Sequence, residues 1–229
     1  MIVYYVITAV FMLLSWWAGN RLKSKFQEYS QQPMRTGLTG RQVAELMLKE
    51  NGINDVKVIS VAGQLTDHYN PANKTVNLSE WVYEQPTVAA AAVAAHECGH
   101  AVQHANAYTW LGFRSKMVPA LNISSKITPW ILMIGLGMAT QGSPMVLLIG
   151  ILLFGLTTLF TVITLPVEFD ASARALAWLK TANITTPQEQ SQASSALRWA
   201  ASTYVIAALA SLGQLLYYVM RYMSATNRN

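Results

Sequence analysis

From Ile127 to Val167 the chain carries no Asp, Glu, Lys or Arg, and the run is broken only at Gln141-Gly142-Ser143-Pro144. A helix needs roughly 20 apolar residues to cross a hydrocarbon layer, and within that layer its backbone groups must pair internally. The run therefore reads as two spans joined by a tight turn. The first is expected to begin near Val118, with Lys126 snorkelling or facing protein, because 127–140 alone is too short. The second is expected from Met145 to about Pro166. Two more stretches share the pattern. Residues 1–20 lack charged side chains, include the run Ile2 to Ala18, and end near Trp16 and Trp17 as at a membrane interface. Trp199 to Met220 is also uncharged, with Tyr217, Tyr218, Arg221 and Tyr222 at its end. A cleaved signal peptide in place of the first stretch would need a basic leader and a small-x-small site, and neither is present. The expectation is four transmembrane helices.

Composition supports lipid as part of the solvent. Only 12% of the 229 residues are charged and 52% are apolar, against roughly 25% charged in average globular chains. The net charge of +5 and pI near 9.4 suit nucleic acid in principle. Here the cations are scattered, or stand beside an apolar run as Arg21, Lys23 and Lys25 do, so the expected partner is the bilayer and not nucleic acid. The single cysteine, Cys98, excludes an intrachain disulfide.

Between the first and second spans lies a polar segment, 21–117, too long to be a bare loop. Thr39 can cap a helix with Val43, Leu46 and Met47 on one face, ending near Gly52. Val56 to Val61 and Thr75 to Leu78 read as strands flanking a turn at Tyr69-Asn70-Pro71-Ala72-Asn73-Lys74. Pro86-Thr87 then opens an alanine-rich helix through Ala105. The remaining divisions are 118–167 for the hairpin of spans, 168–198 for a loop or helix, and 199–222 for the last span. No internal repeat or low-complexity linker is present.

The alanine-rich helix carries His96-Glu97-Cys98-Gly99-His100, an HExxH pattern. Residues i and i+4 stack on one helix face, so both imidazoles can grip one metal ion while Glu97 reaches the water beside it. Zinc suits two neutral imidazoles and a carboxylate with a fourth position open, and Glu97 would act as general base toward water at that position. Chance yields such a pattern in about one chain in a hundred of this length. The ordinary reading is two surface histidines. Cys98 points away from the ligand face and reads as packing.

Glu168, in Leu165-Pro166-Val167-Glu168-Phe169-Asp170, is the candidate third ligand. Two crossings separate it from His100, so both return to one side of the bilayer, and a carboxylate at a membrane boundary is costly without a partner. Asp170 is a candidate for orienting a ligand imidazole, with a solvated cap as its plainer reading. Arg174 is a candidate partner for a carboxylate or a substrate carbonyl. His104 continues the histidine stripe, but each four-residue step climbs about 6 Å. Three such histidines cannot converge, so His104 reads as a helix-end or substrate-side residue. His68 reads as an exposed loop histidine outside the site.

The runs Ala89 to Gln103 (AAAAVAAHECGHAVQ) and Leu165 to Ser172 (LPVEFDAS), with one span before the first and two between them, resemble the YugP-type bacterial neutral zinc metallopeptidases. The resemblance extends over the whole chain. It implies zinc on His96, His100 and Glu168 with Glu97 catalytic. More distantly the chain is similar to heat-shock membrane proteases and CAAX prenyl proteases, which usually carry Glu-x-x-x-Asp at the third ligand. Here position 172 is Ser. The likeness also implies a strand edge that holds substrate, sought at Thr75 to Leu78.

The expected whole is a mainly α membrane protein with four spans and a small α+β zincin-like catalytic segment at the bilayer surface. It is expected to hydrolyse peptide bonds of membrane proteins or peptides. Arg21, Lys23 and Lys25 follow the first span, so the positive-inside rule places the site in the cytoplasm of a multi-pass bacterial membrane protein. Arg221 and Arg228 then fall outside, against that rule. The chief alternative is a non-catalytic scaffold or adaptor with structural zinc, in a larger protease or chaperone assembly. An intramembrane protease would need an Asp-Gly third-ligand motif, and a channel would need polar residues within the spans.

Overall fold

The computed structural model describes residues 2–227, so Met1 and Arg228 lie outside the described residues. The chain is mainly helical, with one small sheet. Helix α1 is Ile2–Ser30, α2 Gly40–Glu50, α3 Glu80–Glu84, α4 Val88–Ala105, α5 Thr109–Ala139, α6 Met145–Thr181 and α7 Pro187–Thr226. Strands β1 (Lys57–Val61), β2 (His68–Asn70) and β3 (Thr75–Ser79) lie between α2 and α3. Among the described residues three helices are long and apolar enough to cross a membrane: α5, α6 and α7. α1 does not stop at position 20 but continues through Arg21, Lys23 and Lys25 to Ser30, since no proline follows the apolar run before Pro33. Likewise α6 runs on past Pro166, so Glu168 lies within a helix, one of the two readings open for 168–198.

Two compact units divide the chain. One takes the residues up to 17, 113–165 and those from 203 onward; the other takes Ala18–Gly112 and Pro166–Ser202.

In the first unit, α5 and α6 meet as a hairpin. Gly142 turns the chain with φ +81°, a backbone conformation that glycine adopts without steric cost. Gly135 lets the backbones close up, because a Cβ there would stand 2.6 Å from the Leu147 Cα. Farther along, the Thr161 and Ser211 hydroxyls hydrogen-bond at 2.9 Å between α6 and α7. Each also lies within hydrogen-bonding distance of a carbonyl of its own helix, so the hydroxyl that accepts across the helices can donate along its own and no polar atom is left bare in an apolar setting.

The second unit is built around α4. Thr87 caps it by accepting from the Ala90 N–H, and its alanines are buried almost without exception. Small side chains allow close packing on several faces at once, with Val43, Met47, Leu78, Val82, Ala175 and Leu179 in one continuous core. Cys98 belongs to it, with its Sγ 3.5 Å from the Ala44 carbonyl. α2 starts with a reciprocal cap between Thr39 and Gln42.

The sheet order is β1-β3-β2, with β1 parallel and β2 antiparallel to β3. β3 is buried along its length. Thr75 to Leu78 is thus the central strand, which corrects the expectation of an edge there. The additional three-residue strand β2, part of what read as a loop, takes an edge instead. His68 lies on β2, with its Nδ1 2.7 Å from the Thr66 carbonyl.

Candidate metal centre

Local helix geometry brings the first two candidates together. His96 and His100, four residues apart on α4, stack with ring centroids 4.8 Å apart and planes at 82°. Glu168 arrives from α6 in the same unit. Its Oε2 stands 3.3 Å from His96 Nε2 and 3.8 Å from His100 Nε2. The ligand atoms of these three residues all lie within 4.8 Å of one another, a group that could hold a metal ion. Metal bonds of about 2.0–2.1 Å at tetrahedral angles place neighbouring donors about 3.3 Å apart, so the spacing suits zinc with one position left over. Both imidazoles are backed at Nδ1. Nδ1 of His96 lies 3.1 Å from the Ser172 hydroxyl, and Nδ1 of His100 lies 3.0 Å from the Gln103 amide oxygen. Each imidazole thus has an outer partner at Nδ1 while Nε2 faces Glu168, the arrangement in which neutral histidines ligate metals.

The helices can approach this closely because of Gly99. A Cβ at that position would stand 2.5 Å from the Ala171 carbonyl oxygen of α6. Pro166, which lacks an N–H, removes one rung of α6 two residues before Glu168.

Glu97 is buried beside the group, and its Oε2 accepts the backbone N–H of Tyr69 at 2.9 Å. Burial pushes its carboxyl up to about 7. His96 and the Tyr69 N–H pull against that rise, while the Glu168 and Asp67 charges add to it. A carboxylate whose proton affinity is raised toward neutrality suits proton transfer at ordinary pH. Asp67 is itself held by the Ser79 N–H at 2.7 Å, and burial raises its pKa too.

The other candidates stand around this group. Asp170 touches neither imidazole; its Oδ2 accepts from Gln103 Nε2 at 2.8 Å and from Arg174 Nε at 2.6 Å. Arg174 therefore pairs with Asp170, one turn away, and its guanidinium lies over the Tyr108 ring. His104 stands apart from the three ligand atoms, with its Nδ1 2.7 Å from the Tyr69 hydroxyl. Gln103, Ser172 and Tyr69 are the residues that sequence reasoning passed over. For Ser172 a signal existed, since it follows Glu168 by one helical turn. For Tyr69 none did, because the contact to Glu97 comes from its backbone.

Comparison with known proteins bears on what this geometry is for. Residues 4–223 match the family model described as "Putative neutral zinc metallopeptidase". The chain is 41% identical over 216 residues to "Putative membrane protease YugP" of Bacillus subtilis (strain 168), spanning 94% of this chain and 95% of that relative. No solved structure matches the chain significantly. With a family match spanning nearly its whole length and a donor set that suits zinc, the chain belongs to the neutral zinc metallopeptidase family.

Proposed function

We infer that this chain is a zinc metallopeptidase crossing the bilayer four times, through α1, α5, α6 and α7, with a zincin-like catalytic segment at the membrane surface. The observation that carries the reading is the convergence of His96, His100 and Glu168 ligand atoms within 4.8 Å, with Glu97 alongside. Zinc held by these three residues would polarise the scissile carbonyl and lower the pKa of water in the open position.

The chain's own groups do the rest. Tyr69 N–H holds one Glu97 oxygen at 2.9 Å, leaving the other to accept a proton from the attacking water. The same carboxyl then delivers that proton to the departing amine, restoring the carboxylate. Burial of Glu97 and Glu168 keeps bulk water from screening the charges involved. Substrate is a membrane protein or an apolar peptide near the bilayer, because Glu168 follows directly on the long apolar run of α6. The basic residues Arg21, Lys23 and Lys25, following the first apolar run, favour a cytoplasmic site.

The test is cleavage of a mixed peptide library by detergent-purified protein, with and without zinc, read by mass spectrometry beside Glu97→Gln. Chelator-sensitive cleavage by wild type alone supports the reading. One zinc per chain with no cleavage would instead favour a non-catalytic zinc scaffold in a larger assembly.

A further inference from the structure

One fully buried polar side chain links the two helices that carry the candidate ligands, and the chemistry above makes no use of it. Gln103 lies one turn beyond His100 on α4 and has no exposed surface. Its amide nitrogen donates to the Val167 carbonyl and to Asp170 Oδ2, each at 2.8 Å. Its amide oxygen lies 3.0 Å from His100 Nδ1.

The donor and acceptor roles in this network are forced by the groups themselves. A backbone carbonyl can only accept, and so can an ionised carboxylate. The nitrogen end of the Gln103 amide must therefore face α6, which turns its oxygen to the imidazole. An amide oxygen can only accept, so Nδ1 carries a proton, and in the neutral His100 imidazole the lone pair is left on Nε2. That Nε2 is the atom 3.8 Å from Glu168 Oε2. Asp170 cannot swing away from this duty easily, because Arg174 Nε holds the same Oδ2 at 2.6 Å. Val167 and Asp170 flank Glu168 in sequence, so the two bonds made by Gln103 also fix the stretch of α6 that presents the third carboxylate.

We propose that Gln103 is a positioning residue, holding His100 as the Nδ1–H tautomer with Nε2 turned toward Glu168, and that Asp170 and Val167 set the direction of its amide. Its purpose, though not its geometry, rests on the zinc reading. A residue that merely filled space at this point would leave the tautomer of His100 to chance. An apolar side chain of similar length in its place would strand the His100 Nδ1–H in a buried site, where unmet polar groups are costly.

The experiment uses full-length protein with 15N-labelled histidine in detergent, free of metal and at mildly alkaline pH. Long-range proton–nitrogen correlation spectra read the tautomer of each of the four histidines, with His100 assigned from the signal lost in His100→Asn. Wild type is expected to show His100 as Nδ1–H alone, and Gln103→Met to show Nε2–H or a mixture. Zinc affinity, measured by chelator competition, is expected to fall about 10–100-fold in Gln103→Met. An Nε2–H signal for wild-type His100 overturns the proposal even if the variant does not fold. So does an unchanged tautomer and affinity in a folded Gln103→Met. Should wild type show Nδ1–H, with Gln103→Met disturbing it, yet bind no zinc, the positioning role stands and the zinc reading fails.

Discussion

The backbone N–H of Tyr69 donates to Glu97 Oε2 at 2.9 Å, tying edge strand β2 to the acid of the HExxH helix. The bond orients one carboxylate oxygen and leaves the other turned to its surroundings. Because the donor belongs to the main chain, it survives substitution of the Tyr69 side chain.

That bond bears on the first prediction. Glu97→Gln keeps an acceptor for the Tyr69 N–H and so should preserve the local structure while losing the proton-accepting oxygen. Peptide cleavage is expected to fall by about 10²–10⁴-fold, with zinc content unchanged by metal analysis. Loss of zinc together with activity would mean that Glu97 is structural.

Removing the third donor should act on the metal itself. Glu168→Ala leaves two imidazoles without the carboxylate 3.3 Å from His96 Nε2, and zinc is expected to be lost on dialysis. Asp170→Ala, which removes a group touching no imidazole, is expected to weaken zinc binding by about 10–100-fold without abolishing it. Competition with a fluorescent chelator separates the two cases.

Gly99→Ala tests how closely the ligand helices must approach. The new methyl would stand 2.5 Å from the Ala171 carbonyl oxygen, so α4 and α6 must part or strain. Overpacking of this kind costs about 1–3 kcal/mol, and parting the helices also draws Glu168 away from the histidines. Both a lower melting temperature and weaker zinc binding are expected. A variant with wild-type values in both would contradict the close approach.

Stability at acid pH should depend on Glu189. Its carboxylate accepts the N–H groups of Arg35 and Thr186, both at 2.7 Å, at the start of α7. Burial raises its pKa, but these hydrogen bonds outweigh burial and hold it below the ordinary carboxylate value. The charged form therefore stabilises the fold above the ordinary range, and this contribution is lost as pH falls through the depressed folded value. Glu189→Gln is expected to cost about 1 kcal/mol at neutral pH, and the gap to wild type should close in acid. A gap that stays constant as the pH is lowered through the acid range would contradict the linkage.

Much of this was legible in the residues. The long uncharged runs announced α5, α6 and α7 because lipid tolerates few charges, and Thr39 and Thr87 marked helix starts because their hydroxyls can take an orphan N–H. His96 and His100 were visible as a pair because helical spacing alone makes them neighbours. Glu168 stood out as the first charge after a long apolar run. Gln103 did not, since a lone glutamine on a helix usually faces water and only the tertiary approach of α6 buries it. β2 escaped notice because three residues are too few for a strand pattern. Its neighbour Thr75 to Leu78 was placed at an edge because sequence order does not disclose sheet order. The long helices extend beyond the apolar runs for a related reason: apolarity marks where lipid stops, not where helical hydrogen bonding stops.

The most direct test of the centre itself is zinc K-edge X-ray absorption on the zinc-loaded, detergent-purified protein. The account predicts two imidazole nitrogens with oxygen donors at about 2.0–2.2 Å and no sulfur, one imidazole signature disappearing in His100→Ala. A sulfur shell near ~2.3 Å, which only Cys98 or a methionine could supply, or an imidazole count unaffected by His100→Ala, would contradict it.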